Sequence, residues 1–466
     1  MHSNEALTVT DPHRLLPTEP RLRATASDLL SLTEHLPILS PHGHVSATDL
    51  AANRPFPDPA ELLVTGDHYL TRLLHAAGVP LGQLGVGGHP ADPRDVWRTV
   101  ASHWHLFAGT ATGYWLTEEL ADVFQIDTPL TADSADEVYD RLAAQLTTEA
   151  CLPRSLFRQF QIEVLATTDD PLDDLTPHRT LQHDGYRVLP TFRPDRYIDP
   201  TVTGFTENVT RLLATGQQPA TFDGYLNALR DRRQYFIDHG AVSADHGVLD
   251  PATADLDPAE AHSLFQRILR GDATDDDLQL FRAHMLLQMA AMSVDDGLVM
   301  TLHPGVFRNH SSATLHHYGP DTGHDIPVRT TFVEGLRPVL ERFGLAPGFQ
   351  LILFTVDETT YSREIAPLAG FYPSVLIGAP WWFLDAPDAI ARFRSAVTET
   401  AGFYRGSGFI DDTRAFLSIP ARHNTARRVD AGFLARLVDQ GRITMPQAER
   451  IAVDLVDAIP RKAFKL

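Results

Sequence analysis

Eight short apolar runs, each ending in polar or charged residues, recur along the 466-residue chain. Most are continuously apolar, as in parallel strands that are buried on both faces. Helical patterns lie between many of them, so the sequence predicts an α/β fold with a parallel sheet. Eight strands favour its closed form, a (β/α)8 TIM barrel, and an open doubly wound sheet is the alternative. The runs are LPILSPHGH ending at His44, IEVLATTDD at Asp170, RVLPTFRPD at Asp195, GAVSADHG at Gly247, GLVMTLHPG at Gly305, FQLILFT at Thr355, SVLIGAPWW at Trp382 and GFIDDTR at Arg414.

The segment 45–160 separates the first two runs and is rich in helical patterns and aromatic residues. It is too long for one crossover connection, so we expect an inserted helical subdomain over the barrel mouth. We predict four regions. They are residues 1–44 for an N-terminal extension and the first strand, 45–160 for the insertion, 161–430 for the rest of the barrel, and 431–466 for a C-terminal helical segment.

Capping patterns predict where several helices begin. Thr274 with Asp277 and Thr444 with Gln447 have the spacing of a capping box. Asp257 before Pro258 opens another helix, and Asp385 with Pro387 opens the helix after the seventh run.

The charge balance excludes some classes of partner. With 39 Lys and Arg against 60 Asp and Glu, the formal charge is −21, which argues against nucleic acid and against an anionic membrane surface. The single cysteine, Cys151, excludes an intramolecular disulfide. The polar N-terminus has no signal-peptide pattern, and no apolar run approaches the ~20 residues that span a bilayer. We therefore expect a soluble, cytoplasmic protein.

Two histidines, His42 and His44, close the first run. On an extended strand, residues two apart share a face, so both imidazoles can reach one metal ion. A chain with 22 histidines contains about one such pair by chance, so the pattern alone is weak. His103 and His105 form a second pair in a predicted helix, where residues two apart diverge, and we interpret them as packing or exposed residues.

The carboxyl ends of barrel strands share one rim, where catalytic residues collect. Each rim residue also has a structural interpretation. Asp169 and Asp170 precede Pro171 and could serve a turn, and His303 could be an ordinary buried histidine. The arginines could form ion pairs at loops, and Trp381 and Trp382 are interpreted as packing residues. The residues expected at the rim are Asp169, Asp170, Arg193, Asp245, His246, His303, Asp411, Asp412 and Arg414.

The histidine pair at one strand end and an aspartate at the end of the eighth run would form a metal site with open positions. A divalent ion there can polarise a carbonyl group or activate water. Nearby arginines suit a carboxylate. The residues thus predict a metal-dependent barrel enzyme that acts on a small anionic carbonyl or polyol substrate.

Nine motifs extend this interpretation over most of the chain. In their order, they resemble those of the uronate isomerases (glucuronate isomerases), an atypical branch of the amidohydrolase superfamily. They are SPHGHVSATDLAANRPF from Ser40, TGDHYLTRLLHAAGV from Thr65, ATTDDPLDDLTPH from Ala166, VLPTFRPD from Val188, SADHG from Ser243, LHPGVFRNH from Leu302, GPDTGHDI from Gly319, GAPWWFLD from Gly378 and DDTRAFLSIPARHNTARR from Asp411.

The resemblance implies a distorted barrel with a helical insertion and one divalent metal ion. This ion is usually zinc, with manganese or cobalt as alternatives, and it would be held by His42, His44 and Asp412. The sixth run, LILFTVDE, lacks the histidine that hydrolytic relatives use for a second metal. The resemblance also implies a homo-oligomer. The residues it places at the substrate are His68, Tyr69, Arg193, His303, Arg308 and Arg414.

The implied reaction is aldose–ketose isomerisation, of D-glucuronate to D-fructuronate or of D-galacturonate to D-tagaturonate. A base must move the C2 proton to C1 through an enediol, and the developing oxyanion must be stabilised. Our hypothesis makes Asp412 the base and Tyr69 or His68 the partner acid. Arg193 would hold the sugar carboxylate, and Arg414 would orient hydroxyls or the enediolate.

Several motifs depart from the family pattern. This chain has HGHVSA where the family typically has HCHLSP, and LHPGVFRNHS where the family has LHIGA-type and RNNN-type sequence. It also has FTVDET in place of the family's SLNP-type motif and ARHNTARR in place of an RHEYFRR-like run. These changes leave the metal residues intact but bear on the substrate, so a related sugar acid stays possible. The alternatives are a hydrolase or lyase on the same barrel, and a non-catalytic sugar-acid binding protein.

Overall fold

A computed structural model describes residues 11–466. Residues 1–10, the start of the predicted N-terminal extension and of its polar N-terminus, lie outside the described part. Within residues 11–466, no helix is both long and apolar enough to span a bilayer.

Seven parallel strands come from the first seven apolar runs. Two sheets, in the orders β1-β2-β3 and β4-β5-β8-β9, are joined where Phe192 bridges to Ala244. β6 and β7 form a separate antiparallel hairpin in the connection after β5. The strands are β1 (Ile38–Ser40), β2 (Ile162–Ala166), β3 (Val188–Leu189), β4 (Ser243–His246), β5 (Val299–Leu302), β6 (Val306–Phe307), β7 (Ile326–Pro327), β8 (Leu351–Leu353) and β9 (Val375–Ile377).

The prediction of a strand in the eighth run, GFIDDTR, is wrong. Just before this run, Gly406 forms one isolated backbone bridge with Ile377. Gly408 (φ 76°) and Asp412 (φ 40°) have left-handed backbone conformations, which interrupt an extended run. The ring is completed instead by the amide of His44, which donates to the carbonyl of Thr413 at 2.9 Å. The α/β prediction of a distorted barrel is confirmed, with an irregular eighth position.

Helices surround the strands and fill the long connection between β1 and β2, which contains α2–α7. The helices are α1 (Pro20–Ser31), α2 (Ala47–Ala52), α3 (His68–Ala76), α4 (Pro93–Ser102), α5 (Ala111–Glu118), α6 (Ala135–Leu146), α7 (Pro153–Gln159), α8 (Thr176–His183), α9 (Asp195–Ile198), α10 (Phe205–Thr215), α11 (Phe222–Asp238), α12 (Pro258–Arg270), α13 (Asp275–Asp296), α14 (Ser312–Tyr318), α15 (Arg337–Phe343), α16 (Ala366–Phe371), α17 (Pro387–Ala401), α18 (Ile419–Asp439), α19 (Met445–Val456) and α20 (Ala458–Phe464).

Local capping explains several helix starts. Thr274 and Thr444 each cap a helix through the predicted capping box, and Asp257 caps α12. The prediction for Asp385 is wrong, because α17 begins after Ala386 without a side-chain cap. The carboxylate of Asp385 pairs with a buried arginine instead, as described below.

The core has two large parts. One joins β4, β5, β8 and β9 to α10–α13 and α15–α17, and the other joins β1–β3 to α2–α7. In the second, the buried indole of Trp97 donates to the carbonyl of Ala135 at 3.1 Å, which ties α4 to α6. Because these helices share one apolar core with the strands, they have a fixed support from which to present side chains to the barrel mouth. The boundary predicted at residue 430 lies inside α18.

Candidate active site

Three side chains from opposite ends of the chain converge at the carboxyl end of β1. The prediction that His42 and His44 lie on the strand itself is wrong, because β1 ends at Ser40. Both rings nevertheless point to one place. Nε2 of His42 lies 3.4 Å and Nε2 of His44 lies 3.1 Å from Oδ1 of Asp412.

The backbone around this cluster is closely built. Asp412 has a left-handed conformation that non-glycine residues rarely adopt, and such strain is often found at functional sites. Its neighbour Asp411 accepts from Nε2 of buried His423 at 3.0 Å. The Thr168 hydroxyl donates to the carbonyl of Gly43 at 2.9 Å, which fixes the turn between the two histidines to the end of β2.

The donor atoms of His42, His44 and Asp412 all lie within 4.8 Å of one another. Burial raises the pKa of the Asp412 carboxyl, but the two imidazoles outweigh burial and hold that pKa well below its usual range. Among residues 11–466, Oδ1 of Asp412 has no hydrogen-bond donor of good geometry. Two imidazole nitrogens and one ionised carboxylate oxygen around a common point fit a divalent metal ion with open positions.

His303 lies beside this cluster and is held by other groups. Its Nδ1 is 2.6 Å from Oδ1 of Asp245, and its ring stacks on Phe354 at 4.1 Å. Nε2 of His303 points back and lies 3.9 Å from Oδ2 of Asp412. Asp245 is fully buried and also accepts from the Thr301 hydroxyl at 2.6 Å. His303 is therefore oriented by Asp245 at the edge of the cluster.

A cavity of about 610 Å³ is lined by two of the three donors, His44 and Asp412, and is bordered by arginines. Arg193 is 2.7 Å from Asp195 and 2.8 Å from Asp245, so two carboxylates already offset its charge. Two further arginines at this cavity are more exposed. Nη1 of Arg308 lies 3.0 Å from Asp325, and Nη2 of Arg414 lies 3.8 Å from Asp321. All three predicted arginines thus line one cavity, with different amounts of free positive charge.

The position of the Arg193 guanidinium depends on residue 247 being glycine, which has no side chain. A Cβ atom at Gly247 would lie 2.0 Å from Nη2 of Arg193 and 3.0 Å from Oδ2 of Asp195. The Gly247 amide also donates to that carboxylate at 3.1 Å. Only glycine lets the end of β4 approach the guanidinium this closely.

His68 and Tyr69 reach the cavity from the helical insertion, at the start of α3. The carboxylate of Asp67 caps this helix by accepting from the Tyr69 amide at 2.8 Å. Burial and the nearby Arg414 lower the pKa of His68 to about 3, so its imidazole is neutral at neutral pH. Burial raises the pKa of the Tyr69 phenol, which therefore keeps its proton.

A buried ion pair that we did not predict lies behind Tyr69. Nη1 of Arg422, on α18, is 2.7 Å from Oδ2 of Asp385, and both side chains are 2% exposed. The guanidinium lies 3.7 Å from the Trp115 ring centroid and 5.6 Å from that of Tyr69. The available signal was the ARHNTARR run, but a sequence does not reveal which of its arginines turns inward.

Some of the other residues considered at the rim border the cavity, and others are buried behind it. Asp169 and Asp170 border the cavity, and Asp170 also has the predicted turn role, because it accepts from the Leu172 amide at 2.9 Å. His246 is buried, and its Nδ1 is 3.0 Å from the carbonyl of Thr301. Trp381 and Trp382 line the cavity wall as well as pack.

Comparison with known proteins places this chain in a family. The glucuronate isomerase family model matches residues 22–462. A uronate isomerase of Corynebacterium efficiens is 52% identical over 461 residues, which cover 98% of both chains. The crystal structure of a glucuronate isomerase from Caulobacter crescentus has a TM-score of 0.96 at 48% identity, covering 97% of this chain and 96% of that one. That of a uronate isomerase from Thermotoga maritima has a TM-score of 0.91 at 28% identity, covering 97% and 98%. The chain belongs to the glucuronate isomerase family.

Proposed function

We propose that this protein is a metal-dependent uronate isomerase that interconverts D-glucuronate and D-fructuronate, D-galacturonate and D-tagaturonate, or both pairs. The observation that carries the proposal is the convergence of His42, His44 and Asp412 beneath a cavity bordered by three arginines. Family membership along almost the whole chain supports the same conclusion.

His42, His44 and Asp412 would hold the divalent ion, for which we propose zinc, with manganese and cobalt as alternatives. When bound, such an ion polarises a carbonyl or hydroxyl oxygen. Elemental analysis of the purified protein tests the identity of the ion. Less than half an equivalent of zinc, with manganese or cobalt in its place, would contradict the assignment.

Asp412 is the proposed base for the C2 proton. Because its pKa lies below the usual range, its carboxylate is ionised at neutral pH, which is the form that a base must have. The carboxylate would accept the proton from C2 and return it to C1, while the hydroxyl proton of O2 passes to O1, so the 1,2-shift needs no net external proton.

Tyr69 is the better of the two proposed partner acids. Its phenol keeps its proton and, among residues 11–466, makes no side-chain hydrogen bond, so the O–H group is free to donate to an oxygen of the enediolate. His68 is neutral, so it lacks the second ring proton with which an imidazolium ion acts as an acid. We assign to His68 a hydrogen bond to a substrate hydroxyl.

The ion pairs of the three arginines indicate which group of the substrate each of them binds. We assign the sugar carboxylate first to Arg308, which has one carboxylate partner and a 39% exposed side chain. Arg193 contributes from the cavity wall, where Asp195 and Asp245 fix its orientation. Arg414 has its nearest carboxylate at 3.8 Å and is free to orient hydroxyls or the enediolate.

The deciding experiment is turnover in deuterated water. The protein reconstituted with zinc, manganese or cobalt is incubated with glucuronate or galacturonate, and NMR follows ketose formation and deuterium at C1 or C2. We expect ketose from at least one uronate. We expect Asp412→Asn to abolish it and Tyr69→Phe to lower kcat about 10²–10³-fold, the typical loss for one oxyanion donor.

The matched control is Asp174→Asn, which changes an exposed carboxylate outside the cavity and should retain full turnover. Wild-type protein that holds a metal but isomerises neither uronate contradicts the proposed function. Normal C2 proton exchange in Asp412→Asn contradicts only the assignment of the base.

We also propose a homo-oligomer in the cytoplasm, and a division of the chain at residues 44 and 160 as predicted from the sequence; the third predicted boundary, at residue 430, falls within α18 and is not kept. Light scattering of the purified protein gives the oligomeric state, and a monomeric mass would contradict that proposal.

A further inference from the structure

Asp169, at the carboxyl end of β2, has no role in the function proposed above, although it borders the active-site cavity. Its side chain is 12% exposed. Two groups donate to Oδ2, the Thr167 hydroxyl at 2.7 Å and the Thr191 amide at 3.1 Å. Both lone pairs of this oxygen are thus used on the side away from the cavity.

A buried histidine determines the direction of the Thr167 hydroxyl. Nε2 of His178, on α8, lies 2.7 Å from that hydroxyl oxygen. Burial lowers the pKa of His178 to about 4, so the ring is neutral and carries a single hydrogen. Nδ1 has no partner among residues 11–466, so the hydrogen belongs on Nε2, where it can be shared. His178 therefore donates to Thr167, whose own hydrogen goes to Asp169 at 2.7 Å rather than to the more distant Leu189 carbonyl at 3.2 Å.

This chain of donors decides where a proton on Asp169 can reside. Because Oδ2 already accepts two hydrogen bonds, a proton on the carboxyl group must sit on Oδ1. No residue among 11–466 donates to Oδ1 with good geometry, and Nε2 of His178 lies 3.6 Å from it. Oδ1 is the oxygen that remains for a molecule in the cavity.

Burial favours the protonated form of Asp169, whereas the two hydrogen bonds to Oδ2 favour the ionised form. Burial raises the pKa of Asp169 to about 7 despite the hydrogen bonds from Thr167 and Thr191, and Asp173 on the same loop adds to the rise. The other ionisable groups along this wall are His178 behind it and His44, Asp170, Arg193, Asp195 and Arg196 on the cavity surface. A neutral Asp169 also spares an anionic substrate one more negative charge.

We propose that Asp169 binds the substrate as a carboxylic acid and donates its Oδ1 hydrogen to a hydroxyl oxygen of the open-chain sugar acid. This inference rests on the proposed function and adds a specificity-determining residue to it. Asp169, Thr167 and His178 together keep one donor aimed into the cavity. When Asp169 loses this proton, Oδ1 becomes an acceptor, and the carboxylate places a negative charge beside the anionic substrate.

The test compares Asp169→Asn with the wild type between pH 6 and 9. Asparagine reproduces the protonated carboxyl group, because its oxygen can accept from Thr167 and Thr191 while its NH₂ group donates into the cavity. We expect KM of the wild type to rise about ten-fold per pH unit above the pKa of Asp169, with little change in kcat. We expect Asp169→Asn to have a low KM that does not change over this range.

Asp169→Ala removes the donor, and we expect its KM to be raised about ten-fold at pH 6. Asp174→Asn is the control on the same loop and should follow the wild-type profile. Asp169→Asn with an alkaline rise in KM like that of the wild type, or with a KM as poor as that of Asp169→Ala, overturns the inference.

A measurement on the free protein separates this inference from the proposed function. Infrared difference spectra between pH 6 and 9, wild type minus Asp169→Asn, should contain the carbonyl stretch of one protonated acid that disappears as pH rises. An ionised Asp169 at pH 6 overturns the inference while leaving isomerase activity untouched. Protein that lacks turnover but shows the expected band would contradict the proposed function and remove the substrate role argued here.

Discussion

At the scale of single residues, Gly247 is the position where the smallest change should have a specific effect. The Cβ atom of Gly247→Ala would lie 2.0 Å from Nη2 of Arg193, and that guanidinium cannot move freely because Asp195 and Asp245 hold it. We expect KM for the uronate to rise about ten-fold, the equivalent of ~1.4 kcal/mol. We also expect a lower melting temperature, because the displaced guanidinium strains its buried ion pairs.

Steady-state kinetics and thermal unfolding check this prediction. Gly370→Ala in α16 is the matched control, because its Cβ would meet nothing closer than 3.4 Å and alanine favours a helix. A Gly247→Ala protein that keeps the wild-type KM would mean that Arg193 does not contact the substrate.

Glu119 gives the protein a dependence of stability on pH. Burial and the nearby Asp67 carboxyl raise the pKa of Glu119 to about 8, whereas its ordinary value is 4.5. The native state therefore holds a proton that the unfolded chain releases between these values. The contribution of Glu119 is most favourable below pH 4.5, decreases as pH rises to about 8, and is constant above.

We expect Glu119→Gln to remove this decrease, so that the variant gains stability relative to the wild type as pH is raised from 5 to 8. Urea unfolding at several pH values measures it. Glu449→Gln, at an exposed position, should leave the pH profile unchanged. Parallel profiles for Glu119→Gln and the wild type would show that Glu119 is ionised in the native protein.

At the scale of elements, α18 connects the barrel to the helical insertion through one buried arginine. Arg422 pairs with Asp385 before α17 and packs on Trp115 of α5. Removing one partner of a buried ion pair typically destabilises a protein by about 3–5 kcal/mol, because the other charge stays buried. Arg422→Met should therefore lower the melting temperature and, through the contact with Tyr69, lower kcat about ten-fold.

A double-mutant cycle with Asp385→Asn separates the pair from the packing, since the two losses should not add. The exposed pair of Arg337 and Glu341 provides the control, and Arg337→Met should change stability by less than ~1 kcal/mol. If Arg422→Met were as stable as that control, the pair would not connect these elements.

Elements with a local signal were predictable from the sequence. The continuous apolar runs predicted β1–β5, β8 and β9, and the capping boxes predicted the starts of α13 and α19. The eighth position was not predictable in the same way, because its conformation depends on left-handed backbone at Gly408 and Asp412. Aspartate adopts this conformation more often than most non-glycine residues, but still too rarely for a sequence to predict it at one position.

The residues of the candidate site also differed in how far the sequence could predict their positions. The rule that barrel strand ends meet at one rim placed His42 and His44 with an aspartate of the eighth run, and the resemblance to the uronate isomerases selected Asp412. The pairing of Arg422 with Asp385 could not, because two charges that neutralise each other across 37 positions leave no trace in a single sequence. The hydrogen bonds around Asp169 were hidden for the same reason, and only the turn role of its neighbour Asp170 was visible.

At the scale of the whole molecule, the proposed metal site spans the irregular closure of the barrel. His42 and His44 lie on one side and Asp412 on the other, and the direct backbone link between them is the hydrogen bond from His44 to Thr413. An ion bound by all three would connect the two sides. Binding to the native state alone stabilises it by ~2.7 kcal/mol when free metal is 100-fold above Kd.

We therefore expect chelation to lower the melting temperature and to speed amide exchange in residues 41–46 and 408–414 more than elsewhere. Exchange mass spectrometry with and without chelator measures this. Asp412→Asn should show the fast exchange already before chelation. Uniform acceleration along the chain would indicate that the metal stabilises the fold without connecting these two segments.

The spacing of the three donors also bears on how the protein is made. His42 and His44 leave the ribosome early, whereas Asp412 follows only after all nine strands and most of the helices have been synthesised. Domains fold as synthesis proceeds, so the first strand and the insertion can pack long before a third donor exists. An incomplete chain can offer an ion only the two histidines. The site as proposed here would thus be assembled last, and a prematurely terminated chain would retain most of the barrel without the ability to hold its metal tightly.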